Sequence, residues 1–227
     1  MTPIKIDRLN KKFTKYYDAK EEAREQALKL AREISRDSTA IIRRVHSQGN
    51  ENVPKLMAGL KEINKKYKDL KKLLVPQPEL NYSNFVENYL QEYAEVSILL
   101  TLIQNNLNIT KIPDPDELGL PYTTYILGLS DVIGEFRRCA LDELRIKELG
   151  KANAYLDAME ELYDIIINLN YPNGVLPVRR KQDVARALID KTRGELAFLA
   201  SEFSLEDNIS DLKSELSSYY KKVARKN

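Results

Sequence analysis

The segment from residue 7 to residue 47 contains neither proline nor glycine, and its apolar side chains recur at a helical spacing. In a helix with 3.6 residues per turn these apolar positions share one face, and charged residues occupy the other. The apolar face consists of Ala23, Ala27, Ile34, Ile41 and Val45. We therefore predict one very long amphipathic helix, which ends at the segment "SQGNENVP" and has to bury its apolar face against further elements.

The rest of the chain continues this helical periodicity, and no stretch sustains the apolar–polar alternation of a strand. Further helices are predicted at about 53–74, 83–108, 122–148, 151–170, 178–203 and 206–223. We expect an all-α fold, a single domain over residues 1–227, because a chain of this length can bury one large core. The two ends, residues 1–20 and 218–227, are candidates for flexible arms.

The residue inventory excludes several functional classes. The single cysteine, Cys139, cannot form an internal disulfide, and the single histidine, His46, cannot complete a site that needs two imidazoles. We expect Cys139 to be a small core residue and His46, at a helix end, to be structural or exposed. The scattered glycines form no phosphate-binding loop. The sequence has no apolar run of about 18 residues and no signal-peptide core, so we expect a cytoplasmic protein without a membrane role.

Two carboxylates interrupt an otherwise apolar helix, "FVENYLQEYAEVSILL". At about 100° per residue, Glu92 falls inside the apolar arc of this helix, and Glu95 lies at the flank of the arc about one turn later. Both side chains are therefore predicted to face a neighbouring helix rather than solvent.

A second pair of carboxylates lies in the segment "LGLSDVIGEFRRC". Asp131 and Glu135 are four residues apart, so they stack on one face of the predicted fourth helix. Gly128 and Gly134 beside them are predicted to let another helix approach closely.

Four carboxylates form a set of hard oxygen ligands, which suits Mg²⁺ or Mn²⁺. Such a site would polarise a phosphodiester and activate water. Without a cation the four charges would repel one another and raise the carboxylate pKa values. The spacing also allows a structural interpretation, in which Asp131 and Glu135 are solvated and Glu92 pairs with an arginine. Spacing alone leaves both interpretations open.

Basic residues form stripes on two predicted helices, although the formal net charge is only +2. One stripe recurs every seven residues and is formed by Arg179, Arg186 and Arg193, with Arg180, Lys181 and Lys191 beside it. The other, on the first helix, is formed by Lys29, Arg32, Arg36 and Arg43. Such stripes could follow a phosphate backbone, or they could be solvated faces, since Asp183 and Asp190 lie among the arginines of the first stripe.

Four segments together resemble the translin family, and specifically its translin-associated factor X branch, over about residues 20–204. They are "LKLAREISRDSTAIIRRVHS", "QEYAEVS", "YILGLSDVIGEFRRCALDE" and "VRRKQDVARALIDKTRGELAFLA". The most specific parts of the resemblance are the pattern LG-x-x-D-x-x-GE at Leu127 to Glu135 and the pattern EY-x-E at Glu92 to Glu95.

The resemblance implies a seven-helix antiparallel bundle whose copies assemble into a hollow octameric barrel. It also implies Mg²⁺-dependent cleavage of RNA inside that barrel. Carried over residue by residue, Glu92, Glu95 and Asp131 are the implied metal-binding catalytic residues, and Glu135 is a fourth member. The resemblance makes the basic residues of both stripes candidate phosphate contacts inside the barrel.

We weigh three functional interpretations, of which the first two follow from this resemblance. The first is a homo-oligomeric endoribonuclease of archaeal or similar source, acting on short duplex or single-stranded RNA, with single-stranded DNA as a further candidate ligand. The second is a translin-type scaffold that binds nucleic acid without cleaving it. The third is a helical interaction protein with no nucleic-acid role, whose RNA affinity would respond neither to salt nor to substitution of the arginines.

Overall fold

The structure, a computed structural model, describes residues 3–48, 52–81 and 86–224. Within these ranges the chain is all-α, with no β-strand. The helices are α1 (Pro3–Gln48), α2 (Val53–Leu74), α3 (Pro78–Asn81), α4 (Glu87–Gln104), α5 (Pro115–Leu118), α6 (Tyr122–Arg145), α7 (Leu149–Ile167) and α8 (Arg179–Ala224), with a 3₁₀ turn at Ile109–Lys111. The expected fold class is thereby confirmed. None of the described helices is long and apolar enough to cross a membrane.

Helix ends differ from the predicted ones where the backbone leaves the right-handed helical region. The predicted start of the third helix, near residue 83, lies outside the described residues. The matching helix, α4, ends at Gln104 because Asn106 and Leu107 adopt left-handed φ angles of 53° and 63°. Lys147, with φ of 62°, likewise separates α6 from α7.

The predicted sixth and seventh helices form one continuous helix, α8, of 46 residues. The predicted break near residues 204–206 falls on Ser, Leu and Glu, and none of these residue types stops a helix. Lys147 also fixes this stretch to the end of α6, because it pairs with Glu206 and lies 5.3 Å from the centre of the Phe203 ring. The expected arms, where described, prolong α1 and α8 as helix. Their flexibility stays a prediction.

The first two long helices pack antiparallel, as their short connection requires. Asp37 of α1 pairs with Lys66 of α2 at 2.7 Å. Earlier on α1, Lys20 pairs with Glu79, which follows α2. Residue numbers therefore fall along α1 as they rise along its neighbour, and the two helices share a long apolar seam.

The centre of the bundle is α4, which packs against α1, α2 and α6. Every residue from Tyr93 to Leu100 is buried, so this helix is covered on all sides over two turns. Its neighbours supply large buried side chains, including Ile34, Ile63 and Phe136. A charged group within these two turns of α4 is therefore enclosed almost regardless of the direction in which it points.

Gly128 permits a close approach of α4 and α6. A Cβ atom added at residue 128 would lie 2.6 Å from the Cβ of Ala94 and 2.7 Å from the carbonyl oxygen of Gln91. The predicted close approach therefore holds at Gly128. It does not hold at Gly134, where an added Cβ would meet only Leu188 Cδ1, at an ordinary 3.9 Å.

This difference predicts opposite effects of the same substitution at the two glycines. Gly128→Ala should lower the free energy of unfolding by about 1–3 kcal/mol, because the helices have to separate to admit the methyl group. Gly134→Ala should be neutral or stabilising by up to about 1 kcal/mol, since alanine favours the helix and the space is free. Urea unfolding of both variants measures the difference. Equal effects would show that α4 and α6 are not in close contact at residue 128.

Candidate functional site

The four predicted acids lie where α1, α4, α6 and α8 meet. Glu92 and Glu95 come from α4, and Asp131 and Glu135 come from the antiparallel α6, which approaches α4 at Gly128. The charges of the other three acids all act on Glu95. The fold therefore gathers two pairs that are about 40 residues apart in sequence.

Glu95 is the deepest of these acids. It is only 8 % exposed, and no hydrogen bond or ion pair joins its carboxylate to another described residue. The pKa of Glu95 is raised to about 8, mainly by burial and then by the charges of Asp131, Glu135 and Glu92, in that order, while the ammonium group of Lys181 acts in the opposite direction.

The relative depth of the two glutamates corrects a sequence-based expectation. Glu92 was predicted inside the apolar arc and Glu95 at its flank, but Glu95 is buried and Glu92 is only partly buried. The reason is that α4 is enclosed by several neighbours, so the flank of its apolar arc also faces protein.

Glu92 is held by hydroxyl groups of α1. The Ser35 hydroxyl donates to Glu92 Oε2 at 3.0 Å, and the Thr39 hydroxyl donates to the same oxygen. The alternative in which Glu92 pairs with an arginine is therefore wrong. Two neutral donors orient the carboxylate and leave its negative charge uncompensated.

Asp131 and Glu135 each have a different partner. Asp131 accepts from the ammonium group of Lys181 and from the side-chain amide of Gln91. Glu135 accepts from His46 Nε2. Lys181 thereby connects α8 to the acids, and His46 connects α1 to them.

His46 is buried, contrary to the exposed alternative, with a side chain only 3 % exposed. Its other nitrogen, Nδ1, lies 3.7 Å from Asp142 Oδ2 and 3.9 Å from Cys139 Sγ. The core position expected for Cys139 is confirmed, and burial raises the pKa of its thiol to about 12. A thiol with this pKa holds its proton at neutral pH, so it is not an activated nucleophile.

A cavity of about 300 Å³ opens beside the acids. It is lined by Glu95, Ser130, Asp131, Gly134, Glu135, Lys181, Val184, Ala185 and Leu188. Among the described residues, no three His, Cys, Asp or Glu side chains converge closely enough to hold a metal ion in the arrangement shown. The contacts explain this, since Glu92, Asp131 and Glu135 turn towards partners in the protein, and of the four acids only Glu95 lacks a partner within the described ranges.

The basic stripe of α1 lies beside the acidic site. Lys29, Arg32, Arg36 and Arg43 are all exposed. Residues four apart in a helix are separated by about 40° around its axis, so Arg43 lies next to the face from which Thr39 contacts Glu92. A depression of about 700 Å³ follows this stripe and is lined by Arg24, Glu25, Leu28, Lys29, Arg32, Glu33 and Arg36.

The arginine stripe of α8 lies elsewhere and is occupied by contacts within the chain. Arg193 pairs with Glu160 at 2.7 Å and with Asp190 at 3.2 Å. Arg186 donates to the Tyr163 hydroxyl at 3.0 Å. These partners include residues of α7, and the stripe lies roughly opposite Lys181 on α8.

The remaining arginines of this region are also exposed. Arg179 donates to the Asn170 side chain at 3.3 Å. For Arg180, no hydrogen bond or ion pair joins it to another described residue. The structure thus brings the α1 stripe to the acids and directs the α8 stripe towards α7.

Comparison with known proteins relates this chain to a protein family. The translin family model matches residues 22–193, which is most of the chain. The chain belongs to the translin family. The uncharacterized protein MJ0175 of Methanocaldococcus jannaschii is 33 % identical over 207 residues, covering 91 % of this chain and 89 % of the relative.

Solved structures share the translin-family fold of this chain. The crystal structure of apo-NeC3PO matches with a TM-score of 0.71 and 25 % identity, covering 88 % of this chain and 98 % of the other. The AfC3PO–duplex RNA complex matches with a TM-score of 0.73 and 23 % identity, covering 87 % and 97 %. The latter likeness establishes the fold only.

Sequence reasoning missed the residues that hold the acids of this translin-family site. Ser35, Thr39 and Gln91 carry no local signal, because single polar residues on a helix are ordinary. Lys181 was assigned to a general basic region, and His46 to a helix end. A signal did exist for Lys181, since it is separated from the apolar residues Ala185 and Leu188 by four and seven residues and so shares their side of the helix.

Proposed function

We propose that this protein is a Mg²⁺-dependent endoribonuclease of the translin-associated factor X type, which cleaves short RNA inside a homo-oligomeric assembly in the cytoplasm. The observation that carries the proposal is Glu95, a buried carboxylate without a partner among the described residues, beside three further acids and at the edge of a cavity. A buried negative charge is costly unless a cation compensates it.

The donor set fits Mg²⁺. All four candidate ligands offer carboxylate oxygens, which hard divalent cations prefer, and Mn²⁺ accepts the same donors. Glu92, Glu95 and Asp131 are the proposed ligands. The hydroxyl groups of Ser35 and Thr39 support this role, because they fix one oxygen of Glu92 and leave the other without a donor among the described residues.

The chemistry requires a polarised phosphate and a proton acceptor. Bound Mg²⁺ would supply the positive charge that polarises the phosphodiester. Glu135 is the proposed proton acceptor for the attacking water, because it lines the cavity and one of its oxygens is hydrogen-bonded to His46.

Two observations support RNA as the substrate, namely the RNA complex of a protein with the same fold and the positive charges on α1. AfC3PO, which shares the fold, forms a complex with duplex RNA. In this chain the α1 stripe places exposed positive charges beside the acids. The negative charge of Glu33, next to the stripe on α1, is compensated by Lys66 of α2, whose Nζ lies 3.2 Å from Glu33 Oε2. A phosphate backbone along α1 would therefore lie next to the proposed metal ligands.

Assembly into an oligomer is supported by two exposed apolar stripes with heptad-like spacing. One is formed on α1 by Ile6, Leu9, Phe13, Tyr16 and Tyr17. The other is formed on α8 by Phe198, Leu205, Ile209, Leu212, Leu216 and Tyr219. Both stripes extend beyond the bundle core, where a second copy could cover them. The octameric number is carried over from the family resemblance.

Cleavage of a labelled short RNA tests the proposal. Purified protein should cleave single-stranded or duplex RNA with Mg²⁺ and should not cleave it with EDTA. The Glu92→Ala variant should bind RNA without cleaving it. Binding without cleavage by the wild-type protein in every condition would favour the second function, a non-catalytic scaffold, in which the contacts of the acids to Lys181, His46 and the hydroxyl groups are structural.

The two arginine stripes should contribute unequally to RNA binding. Changing Arg32, Arg36 and Arg43 together to alanine should weaken RNA binding about tenfold or more and reduce the salt slope by about two to three, because three phosphate contacts are lost. The matched triple variant of Arg179, Arg186 and Arg193 should weaken binding less, since two of these arginines are held by α7. Titration of labelled RNA at several salt concentrations measures both. Equal losses would place RNA across both helices.

A further inference from the structure

The ammonium group of Lys181 lies in the acidic cavity, where a metal cation would otherwise compensate the carboxylates. Its Nζ atom pairs with Asp131 Oδ1, and its side chain is 32 % exposed. Among the described residues that line the cavity, Lys181 alone carries a positive charge. The same charge opposes the effect of the acids on Glu95. Lys181 is thus the cation that compensates this group of acids in the structure.

The contact between Lys181 and Asp131 can open without disturbing the bundle. Asp131 keeps a second donor, the side-chain amide of Gln91, so its position does not depend on the lysine alone. The lysine carries a compact charge on a flexible four-carbon stem. Val184 and Leu188, which lie on the same face of α8, line the cavity beside that stem. The ammonium group can therefore move within the cavity while its backbone stays in place.

We propose that Lys181 is a phosphate-binding catalytic residue, held by Asp131 until a divalent cation takes that carboxylate. This inference rests on the proposed function and deepens it. A divalent cation carries twice the charge of an ammonium group and has access to several carboxylates, so it competes effectively for Asp131. The released ammonium group then lies in the cavity, where it contacts a phosphate oxygen of the bound RNA and stabilises the negative charge that develops during cleavage.

Other basic residues are less well placed for this role. The arginines of α8 lie roughly opposite Lys181 on the helix, and Arg186 and Arg193 are bound to α7. The arginines of α1 lie beside Glu92, outside the residues that line the cavity. They can bind the RNA backbone, whereas Lys181 can reach the reacting phosphate.

Two opposite changes in one variant test the inference. In Lys181→Met, Mg²⁺ and Mn²⁺ should bind about three to ten times more tightly by calorimetry, because the competing ammonium group is absent. At saturating Mg²⁺, kcat for RNA cleavage should fall about a hundredfold, while KM changes less than about threefold. The control is Lys72→Met on α2, whose exposed side chain pairs with Asp69 at 3.0 Å and should change neither quantity.

Lys181→Arg keeps the positive charge. It provides a second variant in case Lys181→Met does not fold. It should bind Mg²⁺ as the wild type does and retain at least about a tenth of the cleavage rate. Weaker metal binding by Lys181→Met would overturn the inference, because the lysine would then position Asp131 for the metal. Unchanged cleavage by Lys181→Met would also overturn it. If the wild-type protein cleaves no RNA, the proposed function fails, whereas the metal affinities still test whether a cation displaces Lys181.

Discussion

Replacing Glu95 with glutamine should reduce Mg²⁺-dependent RNA cleavage at least a hundredfold and, at the same time, stabilise the metal-free protein. Cleavage falls because the amide removes a charged oxygen ligand from the proposed metal site. Stability rises because the amide keeps the shape of the side chain and removes a buried carboxylate that three neighbouring acids repel. The expected gain is about 1–3 kcal/mol near neutral pH, which corresponds to several degrees in the unfolding temperature.

Cleavage assays and thermal unfolding with EDTA measure these two effects on the same preparation. The matched control is Glu87→Gln, which makes the same change two turns earlier on α4, in the first turn of the helix. It should alter neither quantity appreciably. A Glu95→Gln variant that cleaves as the wild type does would remove Glu95 from the metal site. A variant that loses both cleavage and stability would instead indicate a structural role for its carboxylate.

The free energy of unfolding of the metal-free protein should fall as the pH rises from about 5 to about 8. In the unfolded chain Glu95 loses its proton near its ordinary pKa of 4.5, whereas in the folded protein it keeps the proton until about pH 8. Between these values the unfolded state binds fewer protons, so rising pH favours unfolding. The loss across this interval is on the order of 2–4 kcal/mol, and it is complete above the folded pKa.

Saturating Mg²⁺ should remove most of this loss, because a bound cation favours the ionised carboxylate. Urea unfolding between pH 5 and pH 9, with EDTA and with Mg²⁺, measures both curves. The difference between the wild type and Glu95→Gln isolates the contribution of this one group, since the other titrating groups are common to both proteins. Parallel curves for the two proteins in EDTA would show that Glu95 titrates normally.

Helical periodicity predicted most of the fold because the signal is local. The positions of α1, α2, α6 and α7 follow from apolar spacing and from the prolines and polar stretches between them. The ends were less predictable. Leu107 and Lys147 adopt left-handed φ angles although neither residue type favours them, so these helix ends depend on the packing of the connecting segments.

The acids show where local reasoning reached its limit. The spacing of three between Glu92 and Glu95, and of four between Asp131 and Glu135, placed each pair on one side of its helix. It did not show that Glu95 would be the more deeply buried glutamate. That difference arises because several helices enclose α4, a property of the bundle that no single helix encodes.

The two basic stripes had nearly the same signal in the sequence and have different surroundings in the structure. Arg43 stays exposed beside the acidic site, whereas Arg193 pairs with Glu160 on a neighbouring helix. Charge and spacing describe one face of one helix. They do not describe which residues of another helix will lie against that face, and this is what decides whether an arginine is available to a ligand.

By itself, the sequence determined the all-α class, the approximate helices and the two pairs of acids, because these features depend on neighbours within one or two helical turns. Only the tertiary structure decided that the pairs meet, that His46, Lys181 and the hydroxyl groups of α1 hold them, and that Glu95 has no partner in the described part of the chain. The physical reason is that burial and ion pairing depend on the atoms that surround a group, and here those atoms come from helices far apart in the chain.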